Sequence, residues 1–285
     1  MGNKMKKILI TGANGQLGTE LQNLLTKKNI PYVAADIKVL DITNANSVTT
    51  FIEEMKPDVI YHCAAYTAVD KAEDEGKEKN QLVNVVGTKN VAQAAEKVGA
   101  TVVYISTDYV FDGTKKEEYN VDDKPNPKNE YGRAKYEGEL EIQKNCSKYY
   151  IIRTSWVYGQ FGANFVFTMQ KLAQTHSKLT IVNDQYGRPT WTKDLADFML
   201  FLVNEEAEYG IYHFSNDDSC TWYEFAQEIL KDEDISLTGV TSSEYPQKAK
   251  RPKYSILNLT KTKSLGYEVP TWQDSLQLLL KELEK

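Results

Sequence analysis

The stretch Lys7-Ile8-Leu9-Ile10-Thr11-Gly12-Ala13-Asn14-Gly15-Gln16-Leu17-Gly18 decides the fold of this chain. Its first five residues form a short apolar run that stops at a glycine, which is typical of a buried parallel strand. Three glycines then stand at three-residue intervals, and a helical pattern of leucines follows. Strand, glycine-rich turn and helix in this order predict a dinucleotide site, because the glycines let the backbone approach a pyrophosphate at the helix N-terminus. The alternative is a plain strand-to-helix turn, although such a turn needs only one glycine.

An acidic residue follows the second predicted strand. Tyr32-Val33-Ala34-Ala35 ends at Asp36, about 20 residues past the glycine turn. A carboxylate at this place typically binds the adenine ribose hydroxyls and disfavours a 2′-phosphate. The alternative is a cap for a helix or turn. The residue therefore predicts that NADH is accepted, and Lys38 nearby softens the bias against NADPH.

Strand and helix patterns continue to alternate along the first half of the chain. Further strands are predicted over residues 57–62, 101–105 and 149–153, with helices over 45–56 and 77–98. This alternation predicts an α/β fold with a doubly wound, parallel, Rossmann-type sheet. After residue 154 the elements shorten and aromatic residues increase. We therefore expect a dinucleotide-binding domain over 1–154, with a return helix near 192–203, and a smaller α/β substrate-binding portion over 155–285.

The helix over 77–98 is predicted to bury one apolar stripe. Asn84 lies on the same helix and could support the site through hydrogen bonds, although a surface position is the more common place for such a residue. The predicted stripe consists of Leu82, Val85, Val86, Val91, Ala94 and Ala95.

Tyr131 and Lys135 form the candidate acid/base pair. A helical pattern runs through this segment, and residues four apart lie on the same face of a helix. A lysine ammonium beside a phenol favours the phenolate and lowers the pKa of the tyrosine toward neutral pH. Alone, this spacing more often marks an ordinary surface helix. Thr107 and Asp108 follow the fourth predicted strand, where ligands of parallel sheets bind.

Composition excludes several classes of function. The net charge of -6 gives no electrostatic footprint for nucleic acid or an anionic membrane, and no apolar run is long enough to span a bilayer. Three cysteines and three histidines are scattered, so neither a disulfide framework nor a metal site is predicted. We expect a cytoplasmic protein.

Glycines 12, 15 and 18, the strand end at Ser106-Thr107 and the Tyr131/Lys135 pair form an ordered set. Together they resemble the extended short-chain dehydrogenase/reductase superfamily. Residues 68–73, 106–113, 153–158 and 183–190 are similar to the dTDP-4-dehydrorhamnose reductase family. The matching segments are spread from the N-terminus to about residue 255, so the resemblance extends over most of the chain. The resemblance implies reduction of the 4-keto group of dTDP-4-dehydro-L-rhamnose with NADPH or NADH, which would supply rhamnose to cell-surface polysaccharide. It also implies a dTDP-sugar substrate and a monomer or homodimer.

The resemblance assigns roles to individual residues. Tyr131 would protonate the nascent O4 alkoxide, Lys135 would hold the nicotinamide ribose, and Thr107 would hydrogen-bond the substrate near O4. Asp108, Trp156 and Asn164 would contact the nucleotide-sugar. The expected cofactor contacts are Gly12, Gly15, Gln16, Leu17, Gly18, Asp36, Asp41, Ile42, Ala64, Ala65, Tyr66, Thr67 and Ile105, together with Tyr131 and Lys135.

Two arginines in the second half are candidates for the substrate diphosphate. A guanidinium can clamp a diphosphate bidentately, and both Arg188 and Arg251 stand beside a proline. The alternative for each arginine is a surface ion pair. Arg251 is the better candidate for the diphosphate, and Arg188 is the weaker one.

Two other functions are also compatible with the sequence. One is another nucleotide-sugar enzyme of the superfamily, an epimerase or dehydratase that recycles tightly bound NAD. Another is a non-catalytic regulatory subunit with this fold, in which the tyrosine/lysine pair is generally damaged. Here Thr107, Tyr131 and Lys135 are all present, which favours a catalytic protein.

Overall fold

A six-stranded parallel sheet lies at the centre of the structure, a computed structural model that describes residues 6–284. The strands are β1 Ile8–Thr11, β2 Tyr32–Ala35, β3 Val59–His62, β4 Thr101–Thr107, β5 Tyr149–Thr154, β6 Val157–Tyr158, β7 Lys178–Val182, β8 Tyr186–Gly187, β9 Thr190–Trp191, β10 Gly210–His213, β11 Cys220–Thr221 and β12 Ser236–Val240. The helices are α1 Gln16–Lys27, α2 Ala45–Met55, α3 Lys77–Gln81, α4 Thr88–Val98, α5 Glu130–Asn145, α6 Phe165–Ala173, α7 Thr192–Asn204, α8 Trp222–Ile229, α9 Thr260–Ser264 and α10 Trp272–Leu283.

The central sheet has the strand order β10-β5-β4-β3-β1-β2, and every neighbouring pair is parallel. Strands that are buried on both faces are mostly apolar, as in Ile8-Leu9-Ile10 of β1. Helices α1 and α7 pack on one face, and α2, α4 and α5 pack on the other. The predicted doubly wound α/β sheet is confirmed, as are its first five strands.

The chain returns to this sheet after leaving it. Helix α7 lies at the position expected for the return helix and packs against α1 through Leu195, Phe198 and Leu202. The segment Gly210–His213 then adds the edge strand β10 beside β5. Sequence patterns did not predict this strand, because it is only four residues long and has no glycine-rich turn after it. The domain boundary at residue 154 stays a prediction.

The long helix over residues 77–98 is interrupted in its middle. Residues Leu82–Gly87 form a π-helical turn between α3 and α4. A π turn adds a residue to the helical repeat and so rotates the helix face that follows. The predicted stripe is therefore correct in α4, where Val91 is fully buried, but wrong at Leu82 and Val86, whose exposures are 45% and 39%.

The same π turn buries Asn84. Its side-chain oxygen accepts a hydrogen bond from the Tyr66 amide at 3.0 Å, and its amide nitrogen donates to the Tyr66 carbonyl at 2.9 Å. The side chain also donates to Asn80 at 2.8 Å. A fully buried amide is stable only when its polar atoms have partners. The predicted supporting role of Asn84 is therefore consistent with its position, which holds the loop after β3 in place.

A second, smaller hydrophobic cluster lies in the C-terminal part of the chain. It joins α6, α8 and α10 with three two-stranded sheets, β6 with β9, β7 with β12, and β8 with β11. Aromatic side chains dominate it, and Trp191 and Phe225 are among its buried members. Residues 6–284 contain no helix long and apolar enough to cross a bilayer.

A buried ion pair ties α5 to the sheet. Glu139 on α5 and Arg153 near the end of β5 are 0% and 2% exposed. The guanidinium donates to both carboxylate oxygens, at 2.9 and 2.7 Å, and the hydroxyl of Ser106 on β4 donates to the same carboxylate at 2.5 Å. Because a buried charge without a partner is costly, this geometry sets the position of α5 on the sheet.

Replacing Arg153 tests the strength of this connection. Arg153→Met should lower the free energy of unfolding by about 3–5 kcal/mol, because it leaves the Glu139 carboxylate buried without its partner. Urea denaturation followed by circular dichroism measures the change. The double variant Glu139→Met with Arg153→Met is the control and should recover most of the loss. A single variant within about 0.5 kcal/mol of the wild type would contradict this account.

Candidate active site

A cleft of about 660 Å³ opens at the carboxyl edge of the central sheet. Its walls come from the glycine-rich turn, the ends of β3, β4 and β5, helix α5 and the segment after β5. Among the predicted site residues, the cleft is lined by Gly15, Gln16, Leu17, Gly18, Ala65, Thr67, Ile105, Thr107, Asp108, Tyr131, Lys135 and Trp156. Residues from both halves of the chain therefore meet in one cavity.

Two glycines of the glycine-rich turn leave no room for a side chain. Gly12 has a φ of +65°, and a Cβ there would lie 2.5 Å from the backbone of Ala64. A Cβ on Gly18 would lie 2.3 Å from the Gly12 carbonyl oxygen. Gly15 is the residue before the first turn of α1, so the free amides of that helix face the cleft. The turn thus has the close backbone approach and the positive helix end that a pyrophosphate requires.

The remaining predicted cofactor residues lie behind or beside this turn. Asp36 follows β2 and accepts hydrogen bonds from the Asn14 side chain at 2.5 Å and from the Lys38 amide at 3.0 Å. Asp41 accepts from the Thr43 amide, and buried Ile42 packs beneath the π turn. Gly12, Asp36, Asp41, Ile42, Ala64 and Tyr66 are not among the residues that line the cleft.

Helix α5 turns one face toward the cleft. Asn129 caps its N-terminus by accepting a hydrogen bond from the Gly132 amide at 2.7 Å. Tyr131 and Lys135 both line the cleft, as their four-residue spacing predicts. The Lys135 ammonium lies 4.1 Å from the centroid of the Tyr104 ring, whose hydroxyl donates to the Lys135 carbonyl. Lys135 is only 2% exposed, so the cleft places a cation in a dry environment.

Burial changes the protonation of both residues. Burial raises the pKa of Tyr131 well above its usual value, the nearby Asp108 carboxylate raises it further, and the Thr107 side chain opposes the rise. Burial lowers the pKa of Lys135 to about 7, while Glu139 opposes that fall. The direction for Tyr131 differs from the sequence-based prediction, because burial has the largest effect on this pKa and the Asp108 carboxylate adds to it. Tyr131 therefore holds its proton at neutral pH, as a general acid must.

The ends of β4 place two more polar side chains in the cleft. Thr107 and Asp108 are 6% and 2% exposed, and the Thr107 hydroxyl donates to the Asp108 carboxylate at 3.1 Å. The hydroxyl of Ser255, far along the chain, donates to the same carboxylate at 2.5 Å. Local sequence patterns do not predict Ser255, because only the tertiary fold brings it to β4.

Trp156 forms the opposite wall of the cleft in a strained conformation. Its φ of +48° is unusual for a residue with a side chain, and such strain is found mostly where function requires it. The ring stacks on Trp222, with centroids 3.7 Å apart and planes 13° apart. Trp222 also lines the cleft, but its position 66 residues later gave no local signal. The stacked pair provides a flat apolar surface for a ring-shaped ligand.

The remaining predicted substrate residues occupy different environments. Asn164 caps α6 and donates to Gln16 at 3.1 Å, which links the second half of the chain to the glycine turn. Arg188 is buried away from the cleft, where it donates to the Leu257 carbonyl at 2.5 Å and to Glu118 at 2.7 Å. The structure therefore does not bring Arg188 to the ligand-accessible surface.

Arg251 lies at a second cleft that adjoins the first. It forms a bidentate pair with Asp70, at 3.0 and 2.7 Å, and its side chain is 15% exposed. The second cleft has a volume of about 680 Å³ and shares Trp222 with the first. Apolar residues of α6 and β7 line it, including Phe165, Met169 and Ile181. An elongated ligand can therefore extend from Tyr131 past Trp222 toward Arg251.

The residues of the first cleft fit a nicotinamide dinucleotide. The tightly packed glycines and the α1 N-terminus suit the pyrophosphate. Asp36 lies outside the lining of the cleft but directly after β2, where a ribose is bound in this fold. Lys135 offers a buried cation at the other end of the cleft. Within residues 6–284, no group of three or more His, Cys, Asp and Glu side chains is arranged to hold a metal ion.

Proteins with similar sequences and structures are known. The chain is 41% identical over 280 residues to the spore coat polysaccharide biosynthesis protein SpsK of Bacillus subtilis, covering 98% of both chains. It is 40% identical to the dTDP-4-dehydrorhamnose reductase of Aggregatibacter actinomycetemcomitans, covering 96% of this chain and 98% of the relative. The crystal structure of dTDP-4-dehydrorhamnose reductase from Bacillus anthracis in complex with NADP matches with a TM-score of 0.94 and 41% identity, covering 97% and 99%.

The parallel sheet, the glycine turn and the Tyr131/Lys135 face define a Rossmann-fold oxidoreductase of the extended short-chain dehydrogenase/reductase type. A family model described as the RmlD substrate binding domain matches residues 5–285. The chain belongs to the dTDP-4-dehydrorhamnose reductase family. The resemblance found in the sequence is confirmed.

The glycine turn gives a direct test of the dinucleotide site. Gly18→Ala should weaken NADPH binding at least about tenfold, because the added Cβ collides with the Gly12 carbonyl and displaces the turn. Fluorescence titration of NADPH measures the dissociation constant. Asn23→Ala on the same helix is the control and should bind as the wild type does. Unchanged affinity in Gly18→Ala would show that the turn does not contact the cofactor.

Proposed function

We propose that this protein reduces the 4-keto group of dTDP-4-dehydro-L-rhamnose to give dTDP-L-rhamnose, with NADPH or NADH as the reductant. Membership of the reductase family supports this reaction, and so does the relative that was crystallised with NADP. The observation that carries the proposal is the convergence of Thr107, Tyr131 and Lys135 on one cleft next to the glycine turn. If one of these three residues had been replaced, a non-catalytic subunit would be the better interpretation.

Tyr131 is the proton donor in this reaction. The bound reduced nicotinamide supplies a hydride to the carbonyl carbon, so negative charge develops on the carbonyl oxygen. Burial keeps the Tyr131 phenol protonated until that charge forms. The Thr107 hydroxyl, which lies at the end of β4 in the same cleft, orients the carbonyl oxygen. A positioned acid of this kind accelerates a reaction by about 10²–10⁴-fold.

Lys135 and the glycine turn bind and orient the cofactor. The Lys135 ammonium lies where the nicotinamide ribose would reach, and Glu139 one helical turn later helps it keep its charge. The α1 N-terminus offsets the charge of the pyrophosphate. Asp36 contacts the adenine ribose, although its side chain is already held by Asn14 and the Lys38 amide. Since the relative from Bacillus anthracis was crystallised in complex with NADP, we propose that this carboxylate does not exclude NADPH.

The second cleft binds the nucleotide part of the substrate. Its apolar wall suits a thymine ring, and Arg251 is the one of the two candidate arginines that lines it. Trp156 and Asp108 would contact the sugar in the first cleft. We assign the diphosphate to Arg251, which can reach it with donors that Asp70 does not use. The need for NAD(P)H and a nucleotide-sugar favours a cytoplasmic location. We expect the protein to be a monomer or a homodimer.

Replacing the proton donor separates chemistry from binding. Tyr131→Phe should lower kcat by about 10²–10⁴-fold while the dissociation constant of NADPH stays within about twofold, because only the phenolic hydroxyl is lost. Turnover is followed by the loss of NAD(P)H absorbance with dTDP-4-dehydro-L-rhamnose as substrate. Tyr136→Phe, on the same helix, is the matched control. Wild-type turnover in Tyr131→Phe would remove this residue from the mechanism.

Replacing Arg251 tests whether this residue binds the substrate diphosphate. Arg251→Ala should raise KM for the dTDP-sugar by about 10–100-fold with a smaller change in kcat, since a charge-assisted contact to the diphosphate is lost. Lys248→Ala is the control, because Lys248 is an exposed cation nearby that pairs with Asp74. Equal KM values for Arg251→Ala and the control would place the diphosphate elsewhere.

A further inference from the structure

Three segments that are far apart in the chain meet beside the cleft. They are the turn at residues 68–73, the N-terminal end of α5, and the segment at residues 249–251, which carries Arg251. We refer to the three segments together as the junction. The turn also contributes Val69 to the lining of the first cleft, and α5 contributes Tyr131. The junction therefore lies between the proton donor and the arginine that we assign to the diphosphate.

The turn is bonded to both of the other segments. The side chain of Glu73 accepts a hydrogen bond from the backbone amide of Glu130, the first residue of α5, at 2.8 Å. Asp70, three residues earlier, accepts from both terminal nitrogens of the Arg251 guanidinium, at 3.0 and 2.7 Å. Its carboxylate also accepts from the Ala249 amide at 3.0 Å. The turn thus holds the end of α5 and the arginine segment at the same time.

Asn129 joins α5 directly to the arginine segment and closes the ring of contacts. Its side-chain oxygen accepts from the Gly132 amide at 2.7 Å, and its side-chain nitrogen donates to the Lys250 carbonyl at 2.9 Å. The residue is only 6% exposed, so its amide group depends on these two partners. Gly132 follows Tyr131 in the chain, and Lys250 precedes Arg251. One side chain therefore connects the neighbours of the phenol and the guanidinium.

The bonds within the junction leave part of the Arg251 guanidinium for a ligand. One terminal nitrogen donates to Asp70 and to the Ala249 carbonyl, and the other donates to Asp70. These three bonds use three of the five N–H donors of a guanidinium. The other two donors, on Nε and on Nη2, can bind neighbouring phosphate oxygens while the junction stays intact. Arg251 can therefore bind a diphosphate without moving relative to α5.

We propose that Asn129 is a positioning residue that sets the distance between Arg251 and the Tyr131 phenol. This inference rests on the proposed function, in which Arg251 binds the diphosphate and Tyr131 donates the proton. The diphosphate and the keto group belong to one substrate molecule, so an arginine at a fixed distance places the keto group at a fixed point near the phenol. Rates depend steeply on such alignment. The nucleotide part of the substrate then contributes to the chemical step as well as to binding.

Two substitutions of Asn129 keep the helix cap and remove the connection to Lys250. Serine and aspartate are both favoured at this position of a helix, so Asn129→Ser and Asn129→Asp should keep the bond to the Gly132 amide. Serine is too short to reach the Lys250 carbonyl, and aspartate has no N–H group to donate. We expect kcat/KM for the dTDP-sugar to fall about tenfold in each variant. The dissociation constant of NADPH should stay within about twofold of the wild type, because the glycine turn is untouched.

A double-mutant cycle separates positioning from a general loss of structure. If Asn129 acts through Arg251, its replacement should have little effect once that arginine is absent. We therefore expect Asn129→Ser to change kcat/KM by less than about twofold in the Arg251→Ala background. Turnover is followed by the loss of NAD(P)H absorbance, and thermal denaturation shows whether each variant is folded. Asn129→Asp takes the place of Asn129→Ser in the cycle if the serine variant does not fold.

Asn145→Ser is the matched control. Asn145 is the last residue of α5, where its side chain donates to the Glu141 carbonyl at 2.8 Å, and it lines neither of the two clefts. The substitution is the same as the one at Asn129, but it lies at the opposite end of the helix. It should leave kcat/KM at the level of its parent in both backgrounds.

A loss in the wild-type background that disappears in the Arg251→Ala background supports the inference. Wild-type kcat/KM in both Asn129 variants would show that the residue only caps the helix. An equal loss in the two backgrounds would show that it acts without Arg251, and failure of both variants to fold would assign it to stability. Each of these results overturns the inference, as does an Arg251→Ala variant with wild-type kcat/KM, while the proposed reaction stands. A wild type that does not consume NAD(P)H with the dTDP-sugar refutes the proposed function and the inference together.

Discussion

The buried ion pair between Glu139 and Arg153 is the contact on which the active-site geometry depends. It joins α5 to β5, and through Ser106 it also joins α5 to β4. Tyr131, Lys135 and Glu139 are four residues apart, so they share one face of α5. Any slip of the helix would separate the carboxylate from the guanidinium inside the protein, at a cost of several kcal/mol. The ion pair therefore fixes the position of Glu139, and with it the positions of Tyr131 and Lys135, which line the cleft.

Loss of water is the second determinant of the chemistry. Burial favours the neutral forms of Tyr131, Lys135 and Asp108, which raises the pKa of the two acids and lowers that of the amine. A phenol that stays protonated and an amine near the point of losing its charge respond strongly to any charge that arrives in the cleft. The protein thus prepares the site for a charged cofactor and a developing alkoxide mainly by excluding water from it.

The cleft is completed by contacts between distant parts of the chain. Gln16 beside the glycine turn is held by Asn164, and Asp108 at the end of β4 is held by Ser255. Trp156 and Trp222 stack to form the wall shared by the two cavities. These contacts make the sugar and nucleotide positions depend on the same framework that positions the cofactor. The C-terminal segment therefore forms part of the framework at the end of β4.

The amino-acid sequence alone determined the class of fold, since glycine spacing, strand–helix alternation and the four-residue spacing of Tyr131 and Lys135 are local patterns. It could not predict β10, the π turn that exposes Leu82 and buries Asn84, or the separation of Arg188 from the cleft. These features depend on which residues pack together across long chain distances. The protonation of Tyr131 also belongs to the tertiary structure, because only packing removes water from the phenol.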